Sequence, residues 1–176
     1  RYFADMNEFR HKAVIFDRDE VLNVDIGYPH RVEDCHMMPG ADHALKLVND
    51  HGYKAYIATN QGGIALGYYD EAGMMAFNHA LLQKLAAQGG VISGIAFCPH
   101  HPKAPNPTLH DCDCRKPKPG MLFDLAARYH IALEDSLMIG DRSTDIAAGE
   151  AAGCTSYLFK GGNLYDFLKP VMDDLS

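Results

Sequence analysis

The chain has 176 residues and a formal net charge of −7, with 47% hydrophobic and 22% charged residues. This length suits one domain with a continuous core, and this composition is typical of a globular protein. The negative charge argues against binding to nucleic acid or to an anionic membrane surface, and no apolar run reaches the roughly eighteen residues of a membrane span. We expect a monomer that has neither nucleic-acid nor membrane partners.

The start of the chain predicts a cytoplasmic protein, and this affects how its cysteines are interpreted. Residues 1–10 mix charged and aromatic side chains and lack the apolar stretch of a secretory signal. The five cysteines, an odd number, include the close pair Cys112 and Cys114. In a cytoplasmic chain such a pair favours metal binding over a disulfide.

Short apolar strands alternate with amphipathic helices along the chain. The predicted strands are residues 13–16, 53–58, 91–97, 137–139 and 155–159, and the predicted helices are residues 41–48, 70–85 and 120–129, an Ala-rich helix that ends at Gly153, and residues 164–175. This alternation predicts an α/β fold, a three-layer α/β/α sandwich around a Rossmann-like parallel sheet. No sizeable insertion follows the first or the second strand, so we expect one domain over residues 1–176 with no large cap domain.

Polar side chains follow three of the predicted strands. They are Asp17 and Asp19, Thr59 and Asn60, and Asp141 and Asp145. The carboxyl ends of parallel strands meet at one edge of a sheet, where active sites of this fold class collect. Carboxylates gathered there would repel each other unless a cation neutralised them, and hard oxygen ligands suit Mg²⁺.

The same edge offers groups that can bind a phosphate. Thr59 provides a hydroxyl, Lys116 a compact positive charge, and Gly62 and Gly63 provide backbone N–H groups. A carboxylate near Mg²⁺ can attack phosphorus while a second acid protonates the leaving oxygen, which predicts an aspartyl-phosphate mechanism. The alternative is that the aspartates are independent helix caps and ion-pair partners, but the agreement of four chain segments favours phosphoryl transfer.

Residues 98–119 are rich in proline and lack apolar periodicity, and a loop of this length needs a function or a stabilising link. Four residues of types that suit a structural Zn²⁺ lie in a loop at residues 98–114, namely Cys98, His100, Cys112 and Cys114. His101 and His110 are competing candidates for the imidazole, and free thiols in a flexible loop are the alternative interpretation. A bound zinc ion would direct Arg115 and Lys116 towards the phosphate.

Four short motifs resemble the signature motifs of the haloacid dehalogenase (HAD) superfamily of phosphatases. They are Phe16-Asp17-Arg18-Asp19, Thr59-Asn60-Gln61, Arg115-Lys116-Pro117 and Gly140-Asp141. The resemblance implies a HAD-like fold, with Asp17 as the nucleophile and Asp19 as the general acid and base. It also implies that Thr59 and Lys116 bind the phosphoryl group.

The same resemblance implies a magnesium site. Its ligands would be Asp17, the main-chain carbonyl of Asp19, and Asp141. Asp145 lies one helical turn beyond Asp141 and is expected to support the site without binding the metal directly.

Longer stretches within residues 12–160 resemble the branch of this superfamily that removes the 7-phosphate of D-glycero-D-manno-heptose 1,7-bisphosphate. The stretches are residues 23–28, 59–65, 98–102 and 112–121. This resemblance implies a role in the nucleotide-activated heptose pathway of Gram-negative lipopolysaccharide. It implies substrate contacts from Asp25, Ile26, Gly27, Tyr28, Asn60, Gln61, Gly62, Arg115 and Arg142.

Two other functions remain open from the sequence. Residues 140–145 also resemble the histidinol-phosphate phosphatases, which can carry a zinc loop, whereas residues 25–28 and 118–121 favour the heptose branch. Glu20 stands where the superfamily usually has glycine, so a zinc-stabilised binding module with an impaired site is the other alternative. For an active enzyme, we expect Glu20 to lower turnover relative to proteins with glycine there.

Overall fold

A computed structural model describes residues 9–176, so eight of the ten residues considered for a secretory signal lie outside the described residues. The strands are β1 (Ala13–Phe16), β2 (Lys54–Asn60), β3 (Ile92–Cys98), β4 (Leu137–Gly140) and β5 (Thr155–Leu158). The α-helices are α1 (Ala41–Asp50), α2 (Glu71–Leu85), α3 (Gly120–Tyr129), α4 (Ser143–Ala151) and α5 (Leu164–Asp174). Strands and helices alternate as the sequence predicts.

All of these strands pair in parallel in one sheet, in the order β3-β2-β1-β4-β5. The central strand is β1, where Ile15 is in register with Tyr56 of β2 and Met138 of β4. From β1 the chain adds β2 and β3 on one side of the sheet, and then β4 and β5 on the other side. In a sheet of this kind the crevice beside the reversal point, here between β1 and β4, is where ligands bind.

Alternate residues of β1 face opposite helical layers, as the two-residue period of a strand requires. Val14 and Phe16 belong to a buried cluster with residues of α1, α2 and α5. Ala13 and Ile15 belong to a second cluster with residues of α3 and with Met138, against which α4 lies. The central strand is therefore buried on both faces, which explains its uninterrupted apolar sequence and confirms the predicted three-layer sandwich.

Local sequence determines where α2 begins. Asp70 is its N-cap, and its side chain accepts a hydrogen bond from the backbone N–H of Gly73 at 2.8 Å. Such a cap stabilises a helix by about 1 kcal/mol. Phe77, Leu81 and Leu85 follow at helical spacing and are fully buried against the sheet.

Two long loops cover the carboxyl edge of the sheet. In the loop after β1, isolated bridges link Asn23 with Asp19 and with Met37, and its helical content is the short 3₁₀ turn Val32–Asp34. The loop after β3 contains another 3₁₀ turn, Pro107–Leu109. Among the described residues, none of the helices combines the length and apolar character needed to cross a membrane.

Candidate active site

A buried lysine joins two aspartates that lie far from it in the chain. The Nζ atom of Lys116 lies 2.9 Å from Asp17 Oδ1 and 2.7 Å from Asp145 Oδ1, and it donates to the carbonyl oxygen of Ala58 at 2.7 Å. Lys116 is 3% exposed, Asp17 9% and Asp145 2%. The ammonium thus has an acceptor for each of its N–H donors. The sequence prediction that these segments meet at one edge of the sheet agrees with these distances.

Burial governs the ionisation of this cluster. It raises the pKa of Asp17 to about 8, because the carboxylate loses solvation when it is buried. The nearby carboxylates of Asp145 and Asp19 raise the pKa further, and the ammonium of Lys116 offsets only part of the rise. Burial also disfavours the charged form of Lys116, but the neighbouring carboxylates of Asp17 and Asp145 outweigh it and raise the pKa of the lysine. A further cation would favour the ionised Asp17 that a nucleophile must be.

Asp145 fixes the acidic turn that follows β4. Its Oδ2 atom accepts hydrogen bonds from the backbone N–H groups of Asp141 and Arg142, both at 3.1 Å. This close approach requires glycine at position 140, since a Cβ atom there would lie 2.1 Å from the Cβ of Asp145. Asp145 therefore supports the site with both carboxylate oxygens: Oδ2 binds the backbone of the turn, and Oδ1 binds Lys116.

The carboxylates are arranged so that they could hold a metal ion. One oxygen each from Asp17, Asp141 and Asp145 lie within 4.8 Å of one another. The Oδ1 atom of Asp141 is buried and has no hydrogen-bond partner among the described residues, an arrangement that costs free energy unless a ligand satisfies it. Burial also raises the pKa of Asp141. Hard oxygen donors with one unsatisfied atom fit Mg²⁺.

Arg18, between the two catalytic candidates, has a role that sequence reasoning did not assign. Its guanidinium is completely buried and donates to Asp19 Oδ1 at 2.9 Å, to Asn78 Oδ1 of α2 at 2.9 Å and to the carbonyl of Pro29 at 3.1 Å. It also lies 4.4 Å from the ring centre of Phe77. The available signal was an arginine two residues after a buried strand, where a charge needs partners.

The oxygens of Asp19 have different partners. Oδ1 accepts from Arg18 and from Asn23 Nδ2 at 2.9 Å. Among the described residues, Oδ2 accepts one hydrogen bond, from Gln61 Nε2 at 3.3 Å. Gln61 also donates to Thr59 Oγ1 at 2.8 Å and accepts from the hydroxyl of Tyr69 at 2.5 Å. Burial raises the pKa of Tyr69 to about 12, so this hydroxyl is protonated and donates. Oδ2 is thus the less restrained oxygen of Asp19.

Asn60 holds the backbone of Lys116. Its Oδ1 atom accepts from the N–H of Lys116 at 3.0 Å, and its Nδ2 atom donates to the carbonyl of the same residue at 3.2 Å. This reciprocal pair links the end of β2 to the loop after β3. The sequence predicted a substrate contact for Asn60 and gave no indication of this pairing, because the partner is 56 residues away.

A cleft of about 740 Å³ opens above these residues. Its lining includes the predicted residues Asp17, Asp19, Asp25, Gly27, Tyr28, Asn60, Gly62, Arg115, Lys116, Arg142 and Asp145. It also includes Tyr69, Pro117, Ser143 and Thr144, none of which is among the predicted site residues, and His101, which the sequence offered only as a competing zinc ligand. The predicted residues Ile26, Gln61, Thr59 and Asp141 are not part of this lining: Ile26 is exposed, and Thr59 and Gln61 are buried beneath it.

The thiol-rich loop has the geometry of a metal site. Tetrahedral Zn–S bonds of about 2.3 Å place sulfur ligands about 3.7 Å apart. Cys98 Sγ lies 3.6 Å from Cys112 Sγ, and His100 Nδ1 lies 3.5 Å from Cys98 Sγ and 3.3 Å from Cys114 Sγ. Burial raises the pKa of Cys98, so a cation is needed to keep it as a thiolate. The four residues are compatible with zinc.

The competing histidines make other contacts. His110 Nε2 lies 2.6 Å from the carbonyl of Ala104, and His101 Nδ1 accepts from the N–H of Lys103 at 3.0 Å. This geometry favours His100 as the imidazole of the cluster. The cluster also holds the next residue, since Cys112 Sγ accepts from the N–H of Arg115 at 3.3 Å and the Arg115 side chain donates to the carbonyl of His100 at 3.1 Å.

Comparisons with known proteins agree with this geometry. A family model described as HAD-hydrolase-like matches residues 113–166. The D-glycero-beta-D-manno-heptose-1,7-bisphosphate 7-phosphatase of Pasteurella multocida (strain Pm70) is 37% identical over 164 residues, 93% of this chain and 86% of that protein. The D-glycero-alpha-D-manno-heptose-1,7-bisphosphate 7-phosphatase of Photorhabdus laumondii is 39% identical over 154 residues, 86% of this chain and 84% of that protein.

A solved structure is similar as well. The D,D-heptose 1,7-bisphosphate phosphatase from B. bronchiseptica, crystallised with magnesium and phosphate, aligns with a TM-score of 0.77 and 34% identity over 90% of this chain and 86% of that chain. Paired aspartates after a central parallel strand, facing a buried lysine and a second acidic turn, define the class of HAD-like phosphatases. Within that class, the chain belongs to the family of D-glycero-D-manno-heptose-1,7-bisphosphate 7-phosphatases. The HAD-like phosphatase inferred from the sequence motifs is confirmed.

Proposed function

We propose that this protein is a Mg²⁺-dependent phosphomonoester hydrolase that removes the 7-phosphate of D-glycero-D-manno-heptose 1,7-bisphosphate. The observation that carries the proposal is the buried contact of Lys116 with Asp17 and Asp145 at the floor of the cleft. The heptose substrate is supported by the relatives that share most of this chain, which are named for both anomers. The proposed role is in ADP-heptose synthesis for the lipopolysaccharide core.

Two aspartates carry the proposed reaction. A carboxylate oxygen of Asp17 attacks the phosphorus, and the bond from phosphorus to the sugar oxygen breaks while Asp19 gives that oxygen a proton. Water then attacks the phosphorus of the aspartyl phosphate, passes a proton to Asp19, and releases Asp17. The oxygen suited to these proton transfers is Oδ2 of Asp19, because Arg18 and Asn23 both bind Oδ1.

The remaining polar residues neutralise charge and hold the phosphoryl group. Lys116 would bind a phosphoryl oxygen by redirecting one of the three N–H donors that contact Asp17, Asp145 and the Ala58 carbonyl. Thr59 is the proposed source of a hydroxyl for the same phosphoryl group. Asp17, the main-chain carbonyl of Asp19, and Asp141 are the proposed ligands of Mg²⁺, with Asp145 in support. When bound, this ion supplies positive charge that offsets the negative charge growing in the transition state.

Specificity for a bisphosphate would come from the rim of the cleft. Arg115 and Arg142 provide guanidinium groups for the remote phosphate, and the loop of residues 25–28 faces the sugar. Binding energy from that remote phosphate can orient the reacting phosphate and discriminate against monophosphates. The proposed substrate contacts of Asn60, Gln61, Gly62 and Ile26 complete this set.

A structural zinc ion is the second proposed cofactor. Cys98, His100, Cys112 and Cys114 would hold it, and the ion would fix the loop at residues 98–114 that leads directly into Arg115 and Lys116. We also propose that residues 1–176 form a single phosphatase domain, monomeric and cytoplasmic, with a small phosphorylated sugar as its partner.

The test is a comparison of kcat/KM with Mg²⁺ on four substrates: the two anomers of heptose 1,7-bisphosphate, histidinol phosphate, and a small aryl phosphate. We expect the better anomer of the bisphosphate to exceed histidinol phosphate by at least about 100-fold, the discrimination that a bound second phosphate can provide. A higher kcat/KM on histidinol phosphate than on either anomer would identify the protein as a histidinol-phosphate phosphatase. No hydrolysis of any of them would support the impaired binding module.

A further inference from the structure

Glu20 adopts a backbone conformation that disfavours most side chains. Its φ is 65°, in the left-handed region, where a Cβ atom crowds the backbone and glycine is preferred. This residue follows Asp19 directly, so the turn beside the catalytic candidates carries the strain. A strained conformation persists only where surrounding contacts stabilise it.

The side chain of Glu20 makes such a contact. Its Oε1 atom accepts a hydrogen bond from the backbone N–H of Asp25 at 2.6 Å, and its own N–H donates to the carbonyl of Asn23 at 2.7 Å. Asp25 in turn accepts from the N–H of Gly27 at 2.8 Å through Oδ1. A chain of hydrogen bonds therefore runs from the catalytic turn into the loop of residues 25–28.

That loop lines the cleft and is itself strained. Gly27 has a φ of 91° and Tyr28 a φ of 52°, so consecutive residues are left-handed. Asp25, Gly27 and Tyr28 all line the cleft. The Tyr28 ring packs edge-on against Tyr68, with centres 4.9 Å apart, and both residues are about half exposed. Because its side chains are only partly buried, the loop depends on hydrogen bonds at its base for its conformation.

We propose that Glu20 is a positioning residue that holds the loop of residues 25–28 in its substrate-binding conformation, and thereby strengthens binding of the remote part of a bisphosphorylated sugar. The proposal builds on the function proposed above. Glycine at this position would relieve the backbone but has no acceptor for the Asp25 N–H. The carboxylate of Glu20 contacts the loop of residues 25–28, so its role is in substrate affinity. Asp17 and Asp19 act on the reacting atoms.

Three substitutions separate the possible contributions of Glu20. Glu20→Gly removes both the acceptor and the strain, Glu20→Ala removes the acceptor but keeps the strain, and Glu20→Gln keeps an acceptor without the charge. Glu33→Gln is the control for a nearby charge, because Glu33 lies farther along the loop after β1, is exposed, and pairs with Arg31. Each variant is compared by amide hydrogen exchange at Asp25 and by steady-state kinetics.

We expect Glu20→Gly and Glu20→Ala to exchange the Asp25 amide about 10-fold faster and to raise KM for the bisphosphate about 10-fold, the effect of one lost hydrogen bond to a charged group. Their kcat on a small aryl phosphate should change less than about twofold, because that substrate does not reach the loop. Glu20→Gln should restore most of the exchange protection and of the affinity, and Glu33→Gln should resemble the wild type.

Other results would overturn the assignment. Equal Asp25 exchange in the wild type and Glu20→Gly would show that the contact does not restrain the loop. A kcat that rises equally on both substrates in Glu20→Gly would instead support the sequence expectation of impaired turnover. Hydrogen exchange needs no substrate, so it tests the role of Glu20 independently of the proposed function. If the wild-type protein does not hydrolyse the bisphosphate, the proposed function is overturned, whatever the exchange result.

Discussion

Two clusters of metal-binding residue types differ in what holds their residues in place. The carboxylate cluster of Asp17, Asp141 and Asp145 follows β1 and β4, strands already held by the sheet. The thiol cluster of Cys98, His100, Cys112 and Cys114 joins parts of a loop that has little regular structure. A metal ion in the carboxylate cluster would serve catalysis, because the sheet already holds its ligands. A metal ion in the thiol cluster would instead stabilise the fold of the loop itself.

The two clusters meet at Lys116. Its side chain belongs to the carboxylate cluster, but its backbone follows Cys114 by two residues and is held by Asn60. Substitutions in the thiol cluster should therefore lower the catalytic activity. Substitutions of the carboxylates should leave the thiol cluster and its zinc binding unchanged. This one-way dependence is what the following substitutions test.

The largest effect is expected for Asp17→Asn. Loss of the nucleophile should lower kcat by at least about 10⁴-fold, because no aspartyl phosphate can form. The variant should keep its zinc content and circular dichroism spectrum, since the side chain differs only in one atom. Asp174→Asn, at the exposed end of the chain, is the control and should retain full activity. A loss of zinc with Asp17→Asn would contradict the one-way dependence.

Lys116→Met should come next, because it removes the shared charge while keeping a similar side-chain length. We expect kcat to fall by about 10²- to 10³-fold and the free energy of unfolding to fall by about 3–5 kcal/mol, since buried carboxylates lose their partner. Lys103→Met, at an exposed loop position, should change neither quantity. Stability is measured by urea unfolding, and an unchanged value would mean that the lysine does not neutralise the buried acids.

Cys112→Ser should affect both clusters. Loss of a zinc ligand is expected to lower the unfolding temperature by about 10 °C, which is roughly 3 kcal/mol in a chain of this length, and to lower kcat by about 100-fold. Cys35→Ser is the matched control, because Cys35 is buried but lies outside the thiol cluster. Calorimetry and metal analysis check the result. Full activity after complete zinc loss would separate the two clusters and contradict the comparison.

Arg18→Met should have the smallest effect. Removal of the guanidinium frees Asp19 Oδ1 and leaves Asn78 and the Pro29 carbonyl without a donor, so we expect about 1–3 kcal/mol of destabilisation and about 10-fold lower kcat. Arg18→Lys should recover part of the activity, because one donor can still reach Asp19. Arg31→Met, an exposed arginine of the same loop, is the control. Equal activity of Arg18→Met and the wild type would show that Asp19 needs no such support.

The sequence predicts the elements well but not their spatial order. Helix α3 runs from Gly120 to Tyr129 as predicted, and β1 is the apolar run before Asp17. These features are local, because they depend on the period of apolar residues and on helix-ending signals. The order β3-β2-β1-β4-β5 depends on pairings between distant strands, which the periodicity of each strand does not encode.

The candidate site divides in the same way. The grouping of Asp17 with Asp145 was predictable because strand ends share one edge of a parallel sheet. Lys116 lies in the loop after β3, and its place in the group was predicted from its charge and from the Arg115-Lys116-Pro117 motif. The contacts that hold these residues were not, since Arg18 bonds to Asn78 and Asn60 bonds to Lys116 across more than fifty residues. The choice of His100 over its neighbours also depends on side-chain direction, which spacing alone leaves open.

The gathering of Asp17, Lys116 and Asp145 means that a fragment of this polypeptide that ends before residue 145 lacks part of the chemistry. A ribosome must release residues beyond position 145, and β4 must dock beside β1, before the lysine can bridge its carboxylates. The onset of phosphatase activity during synthesis or refolding is then a reporter of the completed sheet, and it should lag behind any signal that follows the formation of single helices.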